Sequence, residues 1–600
     1  MQSASEMQDT DVRDASRPEP TAGPAKAEQL LDRARVLTLR SWFWPVALVA
    51  GYLGQVLFRL SLVLHNSYPS VHADEASYLV LARVLAGHPT TEMPVGSVIP
   101  GGYPLLISPA LRLADDPYTA YHLVMGLNTL LNALVFPLVF VALRRLDVPK
   151  GLSFLIATAA ALMPPVVFYS EFVMSDTVLP AVLLAWLITM HGWLSEGGSR
   201  RRVRFGVGTG LAAGFAMAVH DRGGVVVALT ALVLLGALVF KWAPLKSTLA
   251  AWGGLAVSVA GAKSLSTWLE AQFADTPPST VGTQVIDNLI KPELLRTTVT
   301  RMVGQLWYFS TSSWGFGALA IALCVFAVFS SSFPRAARVV SFVMVALLCG
   351  IALAAAAGLP PDTRIDNWIY ARYLAPLVPV FFLVGVTVLY RTRINGLFKL
   401  VLGAVLVVVV TAEFVIQVVG KGLREGILQW GMPDALFLAS EWSKLHMWRT
   451  IAGALLVLGA CVMLRIAGGR RVMWAVVVSL ALFGAYATTA VTSNVAEPFA
   501  QLRKPLATGF SKASGLEPGE NLVMDQEVDW GLRMAQSYMV YHGRVWTRDL
   551  QKGEQIPAKA DAAVLPLKEG KPQDTWSKAP EGWRVVKVDK RHGWVLWRHR

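Results

Sequence analysis

The sequence predicts a polytopic α-helical membrane protein of about thirteen transmembrane helices, followed by a small C-terminal α/β domain outside the membrane. Hydrophobic residues make up 54% of the 600 positions and charged residues only 16%, a balance foreign to a water-soluble chain of this length. The apolar residues gather in runs long enough to span a bilayer, and after Val491 the composition returns to that of a soluble domain. The net charge of +14 is spread over small Lys and Arg clusters between the apolar runs. There it meets anionic headgroups, so the basicity reads as membrane topology and implies no nucleic acid partner.

Residues 1–40 are polar and rich in Ala, Pro and acids, without a basic start leading directly into an apolar stretch. They read as a disordered cytoplasmic tail and not as a cleaved signal peptide. The membrane region covers residues 41–491, with apolar runs at 42–64, 118–142, 151–168, 174–192, 205–220, 223–240, 247–263, 313–330, 337–357, 373–390, 397–418, 447–465 and 472–491. Alternate loops decide the orientation. With the N-terminus inside, the inner loops hold Arg144, Arg145 and Lys150, then Arg200, Arg201, Arg202 and Arg204, then further Lys and Arg pairs down to Arg470 and Arg471. The short outer loops hold almost none, which places loops 65–117, 264–305 and 419–446, and the C-terminus, on the extracytoplasmic side of the cell membrane.

Residues 492–600 form the extracytoplasmic domain. "ENLVMDQEVDWGLRMAQSYMVYHGRVW", "DAAVLPLK" and "WRVVKVDKRHGWVLWRHR" read as short strands around one helix, the last pair turning near His592-Gly593. Cys324, Cys349 and Cys461 each sit inside an apolar run, which excludes a disulfide framework and Cys-based metal motifs.

Four polar clusters interrupt the pattern: "HADE" at 72–75, "FYSEFVMSD" at 168–176, "VHDRGG" at 219–224 and "TRIDNWIYARYLAP" at 363–376. By the topology above, all four reach the outer surface, where they can converge on one cleft. Each also has a structural reading. Asp74 can cap the helix that follows, with Glu75 in the first turn and Gly87 at the end. Ser175 and Asp176 can cap a helix after Pro164-Pro165, and Glu171 flanks the same re-entry. Arg222 can snorkel to headgroups, and Trp368, Tyr370 and Tyr373 can form an aromatic belt. Against these readings, the planar fork of Arg372 suits two phosphate oxygens at headgroup depth, a role open to Arg222 and Arg364 as well. His72, His88 and His220 lack the spacing of a zinc motif.

The order of these stretches resembles the GT-C superfamily of integral membrane glycosyltransferases, in particular its protein O-mannosyltransferase and aminoarabinose-transferase branch. The resemblance covers roughly residues 40–390. It rests on the acidic pair after the first span with its interfacial helix, "DEASYLVLARVLAG", on "PGGYPLL", on "SEFVMSD" and on "ARYLAPLVP". "PGGYPLL" stands where aminoarabinose transferases have an "EKP"-like stretch.

The resemblance implies an inverting transfer of sugar from a polyprenyl-phosphate carrier to a hydroxyl of a cell-envelope polysaccharide, lipid or protein, on the outer side of the membrane. A groove between apolar helices takes the lipid tail, among membrane lipids. Asp74 is the candidate base for the acceptor hydroxyl, with Glu75 beside it to orient sugar or acceptor, or to share a divalent cation (Mg or Mn) with Asp74. Arg372, Arg222 and Tyr373 are the candidates for donor phosphate. His72, Tyr78, Tyr103, Glu171 and Asp176 are candidate sugar or acceptor contacts, with Gly101 and Gly102 giving a loop close backbone approach. Two rivals share the hydropathy pattern. A transporter or lipid flippase would place ionisable residues near the membrane midplane, often in repeated halves, whereas here they gather at one face. A noncatalytic scaffold that binds carrier lipid would differ only in turnover.

Overall fold

The computed structural model describes residues 42–64, 66–71, 73–273, 276–277, 281–360, 364–370, 372–426 and 431–599. The tail 1–40 and His72 lie outside the described residues. By internal contacts the chain divides into Met1–Gly51 and Tyr52–Arg600; the contacts and the site described below lie in the second unit.

Each of the thirteen apolar runs lands on a helix. Among the described residues, seven helices are long and apolar enough to cross a bilayer, or nine when each of two bent pairs counts as one span. The difference from thirteen has local causes. Leu179–Ser195 and Gly223–Val239 have only 17 residues each, Ser199–Val219 opens on a cluster of arginines, and in Leu245–Gln272 the apolar residues are diluted by Ser, Thr, Gly and Lys263. The bent pairs mark sequence breaks. Lys150–Ala161 and Pro164–Glu171 meet at 65°, where Pro164 and Pro165 remove two backbone donors. Pro292–Ser312 and Phe316–Phe329 meet at 114° around Gly315, whose φ of 80° suits a residue without Cβ.

The stretch 264–305, read from sequence as a loop, is largely helical. Leu245–Gln272 runs well past Lys263, and Val281–Ile290 and Pro292–Ser312 follow. The last of these is too polar in its first half to register as a span, yet it buries Thr300, Gln305 and Trp307 completely. Within the first long helix, Arg59 is also buried. Its guanidinium donates to Asn132 Oδ1 at 2.8 Å, Gln55 Oε1 at 2.7 Å and the Ala161 carbonyl at 2.7 Å, so this charge is satisfied by neutral acceptors.

The last apolar helix continues without interruption into the C-terminal region, as Met473–Ser514 over 42 residues. At about 1.5 Å per residue this is roughly twice the ~30 Å hydrocarbon thickness of a bilayer. Beyond it a five-stranded sheet forms from β1 (Leu522–Asp525), β2 (Val545–Arg548), β3 (Ala562–Pro566), β4 (Trp583–Asp589) and β5 (Trp594–His599). The order is β2-β1-β3-β5-β4, with β1 parallel to β2 and β3, and β5 antiparallel to β3 and β4. β4 and β5 join at the turn read near His592-Gly593, where Gly593 has φ 68°. Both faces are covered: Leu522, Met524, Val564 and Leu596 pack with Phe510 and Leu532 on one side, and Val523, Ala563, Leu565 and Val595 with Leu550 and Trp576 on the other. That explains why β1 and β3 read as continuous apolar runs and not as alternating ones.

The sheet is docked on the segment that precedes the second long helix. Tyr541 Oη donates to the Leu111 carbonyl at 2.8 Å, Tyr538 Oη to the Pro117 carbonyl at 2.7 Å, and Arg83 Nη1 to the Val540 carbonyl at 2.8 Å. Glu92 accepts from the Thr547 amide at 2.6 Å and pairs with Arg548.

Candidate functional site

The helix Asp74–Leu85 starts from a strained position. Ala73 precedes it with φ 66°, and no side chain caps its first turn. A positive φ at a residue with a Cβ costs roughly 1–3 kcal/mol, so surrounding contacts must hold it. Asp74 is therefore the first residue of the helix and not its cap, which corrects the capping alternative; Gly87, with φ 95°, does follow the helix end.

Glu75 supplies those contacts. Its Oε2 accepts from the amides of Ser70 and Val71, both at 2.7 Å, and its Oε1 from the Val173 amide at 2.7 Å and Tyr121 Oη at 2.8 Å. Four donors saturate the carboxylate. Burial raises its pKa, and the four donors pull it back only in part. Glu75 thus ties the loop before the helix to the 168–176 stretch, which corrects its reading as a residue facing sugar, acceptor or cation.

Asp74, one position earlier, turns the other way. Its Oδ2 accepts from Arg372 Nη1 at 2.6 Å, and 39% of its side chain stays exposed. Arg372 then reaches Asp176 Oδ2 through Nε at 3.2 Å and Nη2 at 3.1 Å, with Tyr370 Oη at 3.3 Å and Met174 Sδ at 2.8 Å around the same guanidinium. Arg222 donates to Asp176 Oδ1 at 2.8 Å and to the Tyr373 carbonyl at 2.9 Å, and lies 4.5 Å over the Tyr373 ring. His220 Nδ1 accepts from the Arg222 amide at 3.2 Å. The four polar clusters thus meet in one relay, Asp74–Arg372–Asp176–Arg222, of two cations and two anions. Its buried members need one another, because a guanidinium or carboxylate without its partner is costly in a site from which water is withdrawn.

The remaining sequence candidates lie behind this relay. Tyr78 Oη bonds Ser175 Oγ at 2.7 Å, and Tyr103 Oη donates to Asn128 Oδ1 at 2.8 Å, the two rings meeting edge to face at 5.3 Å. Both are buried and brace the helices that hold the relay. Glu171 accepts from Thr492 Oγ1 at 2.7 Å and is buried. Gly102 opens the helix Gly102–Leu113; a Cβ there would come within 2.6 Å of the Ala218 carbonyl, so this glycine serves helix packing and not a sugar-facing loop.

The relay opens on a cleft of about 380 Å³ lined by Val71, Ala73, Asp74, Arg364, Asp366, Tyr370, Arg372, Phe499, Arg503 and Trp530. The last three come from the C-terminal region and carried no signal in the sequence, since nothing local links them to residue 74. Among the described residues no group of three or more His, Cys, Asp or Glu side chains is placed to hold a metal. With Glu75 saturated and Asp74 on Arg372, the acidic pair does not fit a Mg or Mn site.

No family model matches the chain, and no curated protein matches it in sequence. Its fold does match solved structures. The structure of ArnT from Cupriavidus metallidurans bound to undecaprenyl phosphate aligns at a TM-score of 0.51 with 16% identity, covering 94% of this chain and 99% of that one. The apo state of the same protein aligns at 0.50 with 16% identity, covering 93% and 98%. The chain therefore shares the fold of these ArnT structures over nearly the whole length of both chains.

Proposed function

We propose that this chain is an inverting glycosyltransferase that moves a sugar from a polyprenyl-phosphate carrier to an acceptor hydroxyl at the extracytoplasmic face of the membrane. The observation that carries the reading is the asymmetry of the relay. Of its two carboxylates, Asp176 is locked between two guanidiniums, while Asp74 uses one oxygen on Arg372 and keeps exposed surface in the cleft. The undecaprenyl phosphate bound to the ArnT structure of the same fold supports the choice of donor, and the Lys and Arg bias of alternate loops supports the side.

In the reaction so proposed, Asp74 accepts the proton of the acceptor hydroxyl as its oxygen attacks the anomeric carbon. The bond between that carbon and the phosphate oxygen breaks, and the carrier leaves as its lipid phosphate. One direct displacement inverts the anomeric centre and needs no second carboxylate as nucleophile. A positioned base contributes about 10²–10⁴-fold. Arg372 has two duties here: its Nη1 orients Asp74, and its positive charge at the cleft wall offsets, through space, the charge that grows on the leaving phosphate. Asp176 and Arg222 hold Arg372 in place for both.

The test is to incubate purified protein with a panel of polyprenyl-phosphate sugars and crude cell-envelope acceptor, and to measure free lipid phosphate. Release with one sugar, lost by about 10²–10⁴-fold in Asp74→Asn while the variant still binds carrier, supports the reading. Carrier binding without release for any sugar would point to a lipid-binding scaffold instead.

A further inference from the structure

The cleft has one wall that the relay does not explain. The helix Met473–Ser514 outruns the bilayer and delivers Phe499 and Arg503 to the cleft, and the next helix, Trp530–Met539, begins there with Trp530. Arg503 differs from the relay arginines. Its guanidinium lies 5.4 Å over the Phe499 ring, and its Nε is buried with no hydrogen-bond partner. Among the described residues no carboxylate pairs with it, whereas Arg222 and Arg372 share Asp176. Its Nη groups carry no hydrogen bond among the described residues and line the cleft, where a ligand phosphate oxygen can accept from them.

Trp530 offers the complementary surface. It is 49% exposed, an unusual state for so large an apolar ring, and its position is fixed from behind. Asp529 Oδ1 caps its helix at the Leu532 amide at 2.9 Å, Gln536 Nε2 donates to the Leu506 carbonyl at 2.8 Å, and Tyr538 anchors the far end to Pro117. A rigid indole beside a cation suits a sugar ring that presents an apolar C–H face next to a phosphate.

We propose that the C-terminal region forms the second wall of the substrate site, with Arg503 binding the phosphate and Trp530 stacking on the sugar of a glycosyl phosphate lipid. This rests on the donor assigned above. It makes the sheet domain part of the site, held in register by its docking on residues 83–117. Arg503 and Arg372 then flank the phosphate, one from each wall, and only Arg372 touches the base.

Binding of two probes to the full chain in nanodiscs separates the contributions: undecaprenyl phosphate alone, and undecaprenyl phosphate carrying mannose, galactose or arabinose. Arg503→Ala should weaken both by about tenfold or more, which corresponds to about 1.4 kcal/mol, with partial recovery in Arg503→Lys. Trp530→Ala should weaken only the sugar-bearing lipid, by a similar factor, and Trp530→Phe should restore it. The lysine and phenylalanine variants keep the test sharp if an alanine variant folds poorly. Parent-like binding of both probes by Arg503→Ala and Trp530→Ala overturns this inference and leaves the proposed function standing. A parent protein that binds neither probe overturns the function and the inference together.

Discussion

Asp74 and Glu75 are adjacent in the chain, yet they enter two different regions of the molecule. Asp74 joins a relay of guanidiniums and carboxylates at the edge of a cleft, while Glu75 is buried among three backbone amides and a tyrosine hydroxyl. The comparison teaches how one acidic pair serves both chemistry and architecture. Neutral donors hold a carboxylate in place and saturate it. A single guanidinium holds one oxygen and leaves the rest of the group available. The two are consecutive residues of one helix, so a step of about 100° round its axis sends their side chains to different regions.

The largest effect on this comparison should come from the shared anchor. Asp176→Ala leaves Arg222 and Arg372 buried without a carboxylate between them, and should cost about 3–5 kcal/mol of stability together with most of the transfer activity. Thermal unfolding in lipid nanodiscs measures it. A loss as small as that of an exposed ion pair would mean that the relay is not a coupled unit.

Glu75→Gln should cost less, about 1–3 kcal/mol, because the amide keeps one acceptor oxygen but turns an NH₂ toward other donors. At a temperature where the variant stays folded, its turnover should remain close to that of the parent. Full stability with abolished turnover would instead make Glu75 a reacting group and dissolve the contrast with Asp74.

The same substitution predicts a pH effect with a defined sign. Burial raises the pKa of Glu75 in the folded state, so the folded protein binds its proton more tightly than the unfolded chain does. Stability from this group is therefore full below the ordinary glutamate value of about 4.3 and falls as pH rises through the folded value. Unfolding curves of the parent should show that slope, and Glu75→Gln should lack it. Identical slopes in the two proteins would place the titration elsewhere.

The smallest effect should come from the bracing tyrosine. Tyr78→Phe removes the bond to Ser175 Oγ and should cost about 0.5–1.5 kcal/mol with donor affinity preserved. A specific loss of donor affinity in Tyr78→Phe would return this residue to the substrate-facing side.

Much of the fold was legible because lipid as a solvent leaves a strong imprint: thirteen apolar runs all became helices, and the β1 and β3 segments announced themselves as short apolar runs. The convergence of residues 74, 176, 222 and 372 was suggested by polarity confined to one side of the spans. Which way each side chain points was not legible. Nothing in "HADE" distinguishes the open Asp74 from the saturated Glu75, because the difference arises from Tyr121 and Val173, 46 and 98 residues away. The phosphate role first given to Arg372 was read without its carboxylate partners, which are likewise distant. Arg503 and Trp530 were invisible for the same reason, since the helix Met473–Ser514 carries Arg503 to the cleft and the fold of the following segment places Trp530 beside it.

The central claim is that Asp74 reacts and Glu75 supports. Single-turnover transfer from one glycosyl phosphate lipid, run side by side with saturating donor on Asp74→Asn and Glu75→Gln, tests it most directly. The account predicts a rate lower by about 10²–10⁴-fold in Asp74→Asn and near the parent's in Glu75→Gln; the reverse order, or equal losses in both, would contradict it.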